Sequence, residues 1–156
     1  MGSIPNKSRG MYFEEFQVGT EIATQARTIT EADIVNFAGL SGDYNRLHMD
    51  DEFSRGTQFG QRVAHGLLGV AVASGLAVQT GFMEDTILAF REISGWKFSR
   101  PILVGDTVHV VMRVIDTKRL PRLGGGRVTI DMDVKNQDGV SVQHGAWIVL
   151  MQSQPA

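Results

Sequence analysis

Residues 67–79, LLGVAVASGLAVQ, carry no charge and are apolar on nearly every face of a helix. A helix patterned this way belongs inside a fold, buried all round, rather than on its surface. About 13 residues fall short of the ~20 that a membrane-spanning helix needs, so the stretch reads as a core helix. Its small residues (Gly69, Ala71, Ala73, Ser74, Gly75 and Ala77) let other backbone come close. Val70, Val72 and Val78 would also suit a strand, but the length and the preceding glycine favour a helix.

What surrounds this helix narrows the fold further. After Thr80-Gly81 the pattern changes to strands. Residues 86–90 and 93–98 predict one broken strand, 108–115 another, 127–134 a third and 140–151 a long closing one. Val128, Ile130, Met132 and Val134 alternate onto one face. Residues 101–105 predict a bend, 118–126 a basic glycine-rich loop, and Asp138-Gly139 a tight hairpin. Ahead of the core helix, residues 21–28 predict a first strand and 31–38 a helix. Thr30 is its N-cap, Asp33 completes an acidic variant of the capping box, and Gly39 and Gly42 supply the stop. Residues 49–59 hold a further helical turn. One buried helix followed by strands at roughly 8–12-residue spacing predicts an α+β fold, an antiparallel sheet wrapped around a central helix. One sheet face then needs covering, by a partner or by polar side chains. At 156 residues the chain is expected to form a single domain over residues 12–156, after a flexible arm at 1–11.

Composition removes several classes of function. A formal charge of −2 advertises no basic face for nucleic acid or membrane. The absence of cysteine excludes disulfides, thiolate metal sites and a cysteine nucleophile, and fits a reducing, cytoplasmic compartment. The first ten residues lack the apolar segment of a secretory signal, and Asn6 stands where a myristoylation pattern wants Ser or Thr.

Chemistry concentrates in residues 37–66, FAGLSGDYNRLHMDDEFSRGTQFGQRVAHG, a polar, glycine-broken stretch that runs into the core helix. Asp43 and His48, five positions apart, can together hold and activate one water. The competing reading makes Asp43 a turn cap and His48 a surface residue. His48 with Asp43 and Asp50 also offers ligand types suited to zinc or iron, at a spacing that matches no familiar signature. Ser41 lacks the strained G-x-S-x-G elbow of a hydrolase. His65-Gly66 stands at the mouth of the core helix, where free N–H groups and partial positive charge gather. The Gly66 amide could stabilise a developing enolate oxygen, or the glycine simply admits the chain to a packed helix. Asn45 taken alone is a turn residue. Lys118, Arg119, Arg122 and Arg127 put four cations within ten positions; they either meet the phosphates of a nucleotide-bearing substrate or form a solvated hairpin.

Four segments read together resemble the MaoC-like dehydratases, which include the (R)-specific enoyl-CoA hydratases. YFEEFQVG at 12–19 matches the opening F-x-x-x-x-V-G, and RTITEADIVNFAGLSGDYNRLHMD at 27–50 matches the segment whose core is D-x-N-P-x-H. FGQRVAHGLL at 59–68 matches F-x-x-x-I-A-H-G, and WKFSRPILVGDTV at 96–108 matches F-x-x-P-V-x-x-G-D. The resemblance implies a hotdog fold and a homodimer or dimer of dimers, with CoA bound near the subunit interface. It implies reversible syn addition of water to a trans-2-enoyl-CoA thioester, giving an (R)-3-hydroxyacyl-CoA, without metal or redox cofactor. By position, Asp43 and His48 take the catalytic places, and Gly66, His65 and Asn45 the oxyanion and substrate-binding ones. Two departures stand out. Arg46 replaces the proline usual after the asparagine, which would loosen the loop, and Ala71 replaces a serine that supports the aspartate. They motivate a second reading, a non-catalytic acyl-CoA-binding or partner subunit. An acyl-CoA thioesterase is a third.

Overall fold

The computed structural model describes residues 10–156. In chain order its strands are β1 (Glu21–Ala23), β2 (Arg27–Thr28), β3 (Ile87–Phe98), β4 (Thr107–Leu120), β5 (Gly125–Lys135) and β6 (Ser141–Gln152). Its helices are α1 (Glu31–Ser41), α2 (Arg46–Met49), α3 (Asp51–Arg55) and α4 (Gly66–Gln79), all lying before β3. Every strand pairing is antiparallel, in the order β1-β4-β5-β6-β3, with β2 also on β4.

The sheet curls around α4 because alternation along β4, β5 and β6 gives these strands one apolar face. Val110, Met112, Val114, Val128, Ile130, Met132, Val134, Trp147, Val149 and Met151 all point to the core with Val72, Ala73, Leu76 and Ala77 of the helix. Burying Leu68, Val72 and Leu76 contributes about 1.5–3 kcal/mol each. The opposite face is covered by polar side chains. Arg113 meets Glu21 at 2.7 Å, His144 meets Asp131 at 2.8 Å and Arg127 meets Asp116 at 2.7 Å. Exposed pairs of this kind add little stability each, but they keep that face wet.

The helix capped by Thr30 forms as expected. Thr30 Oγ1 accepts from the Asp33 amide, Asp33 Oδ2 accepts from the Thr30 amide, and Gly42 ends the helix at φ +77°.

Five expectations change. The core helix is not buried all round: Leu67 is 65 % exposed, and Ala71, Gly75 and Val78 continue the same outward stripe. The expected first strand breaks in two at Thr24. Its amide donates to the Val110 carbonyl, while its hydroxyl accepts the Val110 amide, taking the place of a ladder carbonyl. The basic loop at 118–126 is mostly strand, with only residues 121–124 turning between β4 and β5. Residues 49–59 contain α3 together with the end of α2, rather than one helical turn. Finally, Gly10 and Met11, expected in the arm, are tied down: their amides donate to the carbonyls of Glu84 (2.7 Å) and Phe82 (2.8 Å). The remainder of that arm, residues 1–9, lies outside the described residues.

Candidate active site

Asp43 follows the left-handed Gly42 that ends α1, in a loop held by its own polar groups. Ser41 Oγ donates to the Phe37 carbonyl at 2.7 Å and accepts the Asp43 amide at 3.1 Å. Asp43 Oδ1 accepts the Asn45 amide at 3.2 Å, and Asn45 Oδ1 caps α2 by accepting the Leu47 amide at 3.0 Å. With Oδ1 engaged, Oδ2 is the carboxylate atom that faces His48.

His48 sits on α2 with its ring fixed from behind. Its Nδ1 lies 2.7 Å from the Val63 carbonyl, and since a carbonyl only accepts, Nδ1 carries the proton. The neutral ring therefore keeps its lone pair on Nε2. The Val63 amide in turn donates to the Leu47 carbonyl, and the Ala64 amide to that of Ile102. Val63 thus grips α2 at two consecutive residues while the segment around it is pinned beside Leu103.

His48 Nε2 and Asp43 Oδ2 are 4.0 Å apart. That is too far for a direct hydrogen bond and close enough for one water to reach both at about 2.8 Å. The Asp43 side chain is 53 % exposed and that of His48 12 %, so the pair opens to solvent on the carboxylate side.

Gly66 is the first residue of α4, so its N–H has no carbonyl within the helix to meet. The partial positive charge of the 14-residue helix gathers there. Its lack of a side chain lets Phe98 close over it: a Cβ would lie 2.9 Å from that exposed ring and push it aside. The Gly66 carbonyl accepts from Gln143 Nε2 at 3.0 Å, and Gln143 Oε1 accepts from Trp96 Nε1 at 3.2 Å. Gln143 also fills the space over Gly69, where a Cβ would meet its Nε2 at 2.2 Å. The first turn of α4 is therefore locked to β3 and β6 by a buried polar chain.

Some expected site residues take other places. His65 does not face outward as a substrate contact. It is 2 % exposed, with Nε2 2.9 Å from the main-chain carbonyl of Asp43. Asn45 shapes the loop, as its turn reading had it. Arg46 does not loosen the loop: it opens α2, pairs with Asp50 at 2.9 Å and lies over the Phe53 ring at 4.4 Å. Asp50 points to α3, accepting the Phe53 amide at 2.9 Å, so it does not join Asp43 and His48. Its carboxyl is held below the ordinary aspartate range by that amide and by Arg46. Ala71 lies exposed on the outward stripe of α4.

The hairpin cations are remote from the pair. The 121–124 turn adjoins Gln152, whereas Gly66 adjoins Gln143, nine residues back along β6 and on the order of 30 Å away. Arg119 and Arg127 are also engaged locally, with Glu14 and Asp116.

Three contributors lie outside the sequence expectations: Gln143, the Val63 carbonyl, and Arg62. Arg62 bridges Glu31 of α1 (2.6 Å) and Asp51 of α3 (2.5 Å), and both acids raise its pKa. Gln143 leaves one trace in the sequence, a polar residue in register with the inward Gly145, Trp147, Val149 and Met151 of β6.

Asp43, His48 and His65 each bring a possible metal-ligand atom, all within 4.8 Å of one another. The two rings, however, stack at 3.8 Å and 30°. Their in-plane lone pairs run side by side instead of converging on one ion, and one nitrogen of each ring is already used on a carbonyl. The arrangement suits proton handling. Among the described residues, no helix is long and apolar enough to cross a membrane.

Comparison with known proteins agrees with this architecture. A family model described as MaoC like domain matches residues 15–136. The protein named MaoC from Klebsiella aerogenes is 43% identical over 99 residues, which cover 64% of this chain but only 29% of that protein. An (R)-specific enoyl-CoA hydratase from Rhodospirillum rubrum is 35% identical over 103 residues, 66% of this chain and 69% of its own length. The X-ray structure titled monoamine oxidase regulatory protein, from Archaeoglobus fulgius, superposes with a TM-score of 0.88 at 34% identity, covering 94% and 97% of the two chains. A double-hotdog protein from Mycobacterium tuberculosis, 20% identical, shares the fold with a TM-score of 0.80 over 94% of this chain and 45% of that one.

Proposed function

The chain belongs to the MaoC-like dehydratase domain family and has its hotdog fold, and on that premise we propose that it adds water reversibly to a trans-2-enoyl-CoA thioester. The observation that carries this reading is the 4.0 Å gap between Asp43 Oδ2 and His48 Nε2, two proton acceptors spaced to share one water. Each is pinned through its other polar atom, so the water is held without reorganisation at the moment of reaction.

In the hydration direction the water oxygen bonds to C3 while a proton leaves it for the Asp43–His48 pair. The C2=C3 electron pair moves toward the thioester carbonyl, whose oxygen gains charge and is stabilised by the Gly66 N–H. The same pair returns a proton to C2 on the face that received the hydroxyl, giving the (R)-3-hydroxyacyl thioester. The carbonyl-bearing end thus sits at the α4 N-terminus. A recess of about 310 Å³ between α4 and β3, lined by Ser74, Val78, Met83, Ile87, Phe90 and Trp147 with the acids Glu84 and Asp85 also on its wall, lies two or more turns along α4 from Gly66 and offers largely apolar space to the far end of a long acyl chain. The chemistry needs no metal or redox group. A second copy of the chain, docking along β3 and the outward stripe of α4, would close that recess.

Mixing the purified protein with crotonyl-CoA tests the reading. Loss of the conjugated enoyl-thioester absorbance without release of free thiol is the expected result. Thiol release would make the protein a thioesterase. No change in either signal, with crotonyl-CoA and with longer and branched enoyl-CoAs, would make it a binding or partner subunit.

A further inference from the structure

We propose that His65 is a positioning residue that sets the Asp43–His48 gap, by holding the Asp43 main chain with one ring nitrogen and the His48 ring with its face. The inference rests on the hydration reading and adds a determinant of its rate.

His65 is buried between two aromatic neighbours. Its ring stacks on His48 at 3.8 Å and tilts against Phe37 of α1 at 5.0 Å and 57°. Its Nε2 donates to the Asp43 carbonyl at 2.9 Å. One side chain thus touches α1, the loop after it and α2, and it stands directly before Gly66, whose amide faces the carbonyl oxygen in the proposed reaction. No other described side chain links the carboxylate loop, the imidazole and the helix N-terminus.

The second nitrogen supports the same conclusion. With Nε2 donating, Nδ1 is an unprotonated acceptor, and it is buried without a hydrogen-bond partner. A buried unsatisfied polar atom is a cost that native cores keep rare. A phenylalanine would put a somewhat larger apolar ring between Phe37 and His48 without that cost. If the position served packing alone, the apolar ring would be the better residue; what histidine adds is the N–H on the Asp43 carbonyl.

Two variants separate the roles. His65→Gln keeps an N–H near the Nε2 position and loses the ring; His65→Phe keeps a ring and loses the donor. For His65→Phe the expected result is a Tm no lower than wild type and faster amide hydrogen exchange at Asp43, Tyr44 and Asn45. Its kcat should fall by about 100-fold with KM changed less than about twofold, the pattern of a misplaced catalytic group beside intact substrate binding. His65→Gln should retain the exchange protection and restore kcat to within about tenfold of wild type.

Unchanged exchange in His65→Phe overturns the inference whatever the enzyme does. So does a raised KM at unchanged kcat, which would mean that His65 binds substrate directly. A wild-type protein inactive on every enoyl-CoA overturns the hydration reading; the exchange measurement still decides whether His65 holds the loop.

Discussion

Asp43 and His48 divide the site between an exposed acid and a half-enclosed base, and this asymmetry decides how their removal is felt. The Asp43 carboxylate makes one local bond, to the Asn45 amide, which an asparagine oxygen can still accept. Replacing His48 by glutamine keeps an amide near the Nε2 position and gives up one neutral hydrogen bond, from Nδ1 to the Val63 carbonyl. Neither change opens a cavity or strands a buried charge, so stability should move by no more than about 1 kcal/mol. Catalysis should not survive, because each variant leaves the shared water with one proton acceptor. Asp43→Asn and His48→Gln are each expected to lower kcat by at least about 100-fold, the low end of acid–base contributions, with Tm nearly unchanged. Steady-state kinetics beside thermal melts will check this; near-normal turnover in either variant would sink the mechanism. In the sequence these two residues stand out through the four-segment resemblance, because their spacing alone suits a turn cap and a surface histidine equally well. The buried place of His65 is not, since it depends on Phe37 and on a carbonyl 22 positions away, which no local pattern encodes.

At the scale of elements, the loop-bearing helices are short, and their caps do what packing cannot. α3 is five residues long with one buried side chain, Ser54, so Asp50 is central to it: one carboxylate accepts the Phe53 amide and pairs with Arg46 of α2. The amide contributes most to lowering the Asp50 pKa, followed by the Arg46 bond. A folded pKa below the unfolded one means the contribution to stability is complete above the ordinary aspartate value. It is lost as pH falls through the depressed folded value. The Tm difference between wild type and Asp50→Asn should therefore be constant from neutral pH down to the ordinary aspartate range and shrink below it. A difference that persists undiminished in stronger acid would assign the effect to shape instead of charge.

The elements also show why some of the fold is readable and some is not. Thr30 and Asp33 announce α1 because both partners of the cap lie within one turn. The β4–β5 hairpin reads as a long loop in the sequence because Gly124, Gly125 and Gly126 look like turn residues. Two of them are in the strand for another reason: a Cβ on Gly125 would lie 2.0 Å from the Met151 carbonyl, and one on Gly126 2.2 Å from the Phe13 ring. Glycine chosen for close approach and glycine chosen for a turn are indistinguishable until the neighbour is known.

For the whole molecule, the tension is that the sheet ends in β3. Among the described residues this strand has β6 on one side and no strand on the other, and it is 12 residues long. Ile87, Leu88, Phe90, Ile93 and Phe98 are exposed along it, beside the bare Leu67–Val78 stripe of α4. Natural edge strands are usually short, charged or covered, and a contiguous apolar surface of this kind marks an association site. The single chain thus looks buried in pattern and exposed in fact. In the proposed dimer this core-like helix faces outward because the side chains that would cover it belong to the second copy, which one chain's sequence does not encode. A lysine at the edge should undo the association. Ile93→Lys puts on β3 the charge with which edge strands prevent pairing, at an exposed position where the folded chain tolerates it. Analytical ultracentrifugation should find the wild type dimeric and the variant monomeric, with unchanged far-UV circular dichroism. If the recess between α4 and β3 is closed by the second copy, the monomer leaves the acyl chain in water, and kcat/KM should fall by at least about tenfold. A variant that stays dimeric would move the interface elsewhere, and a monomer with full activity would show that each chain builds its site alone.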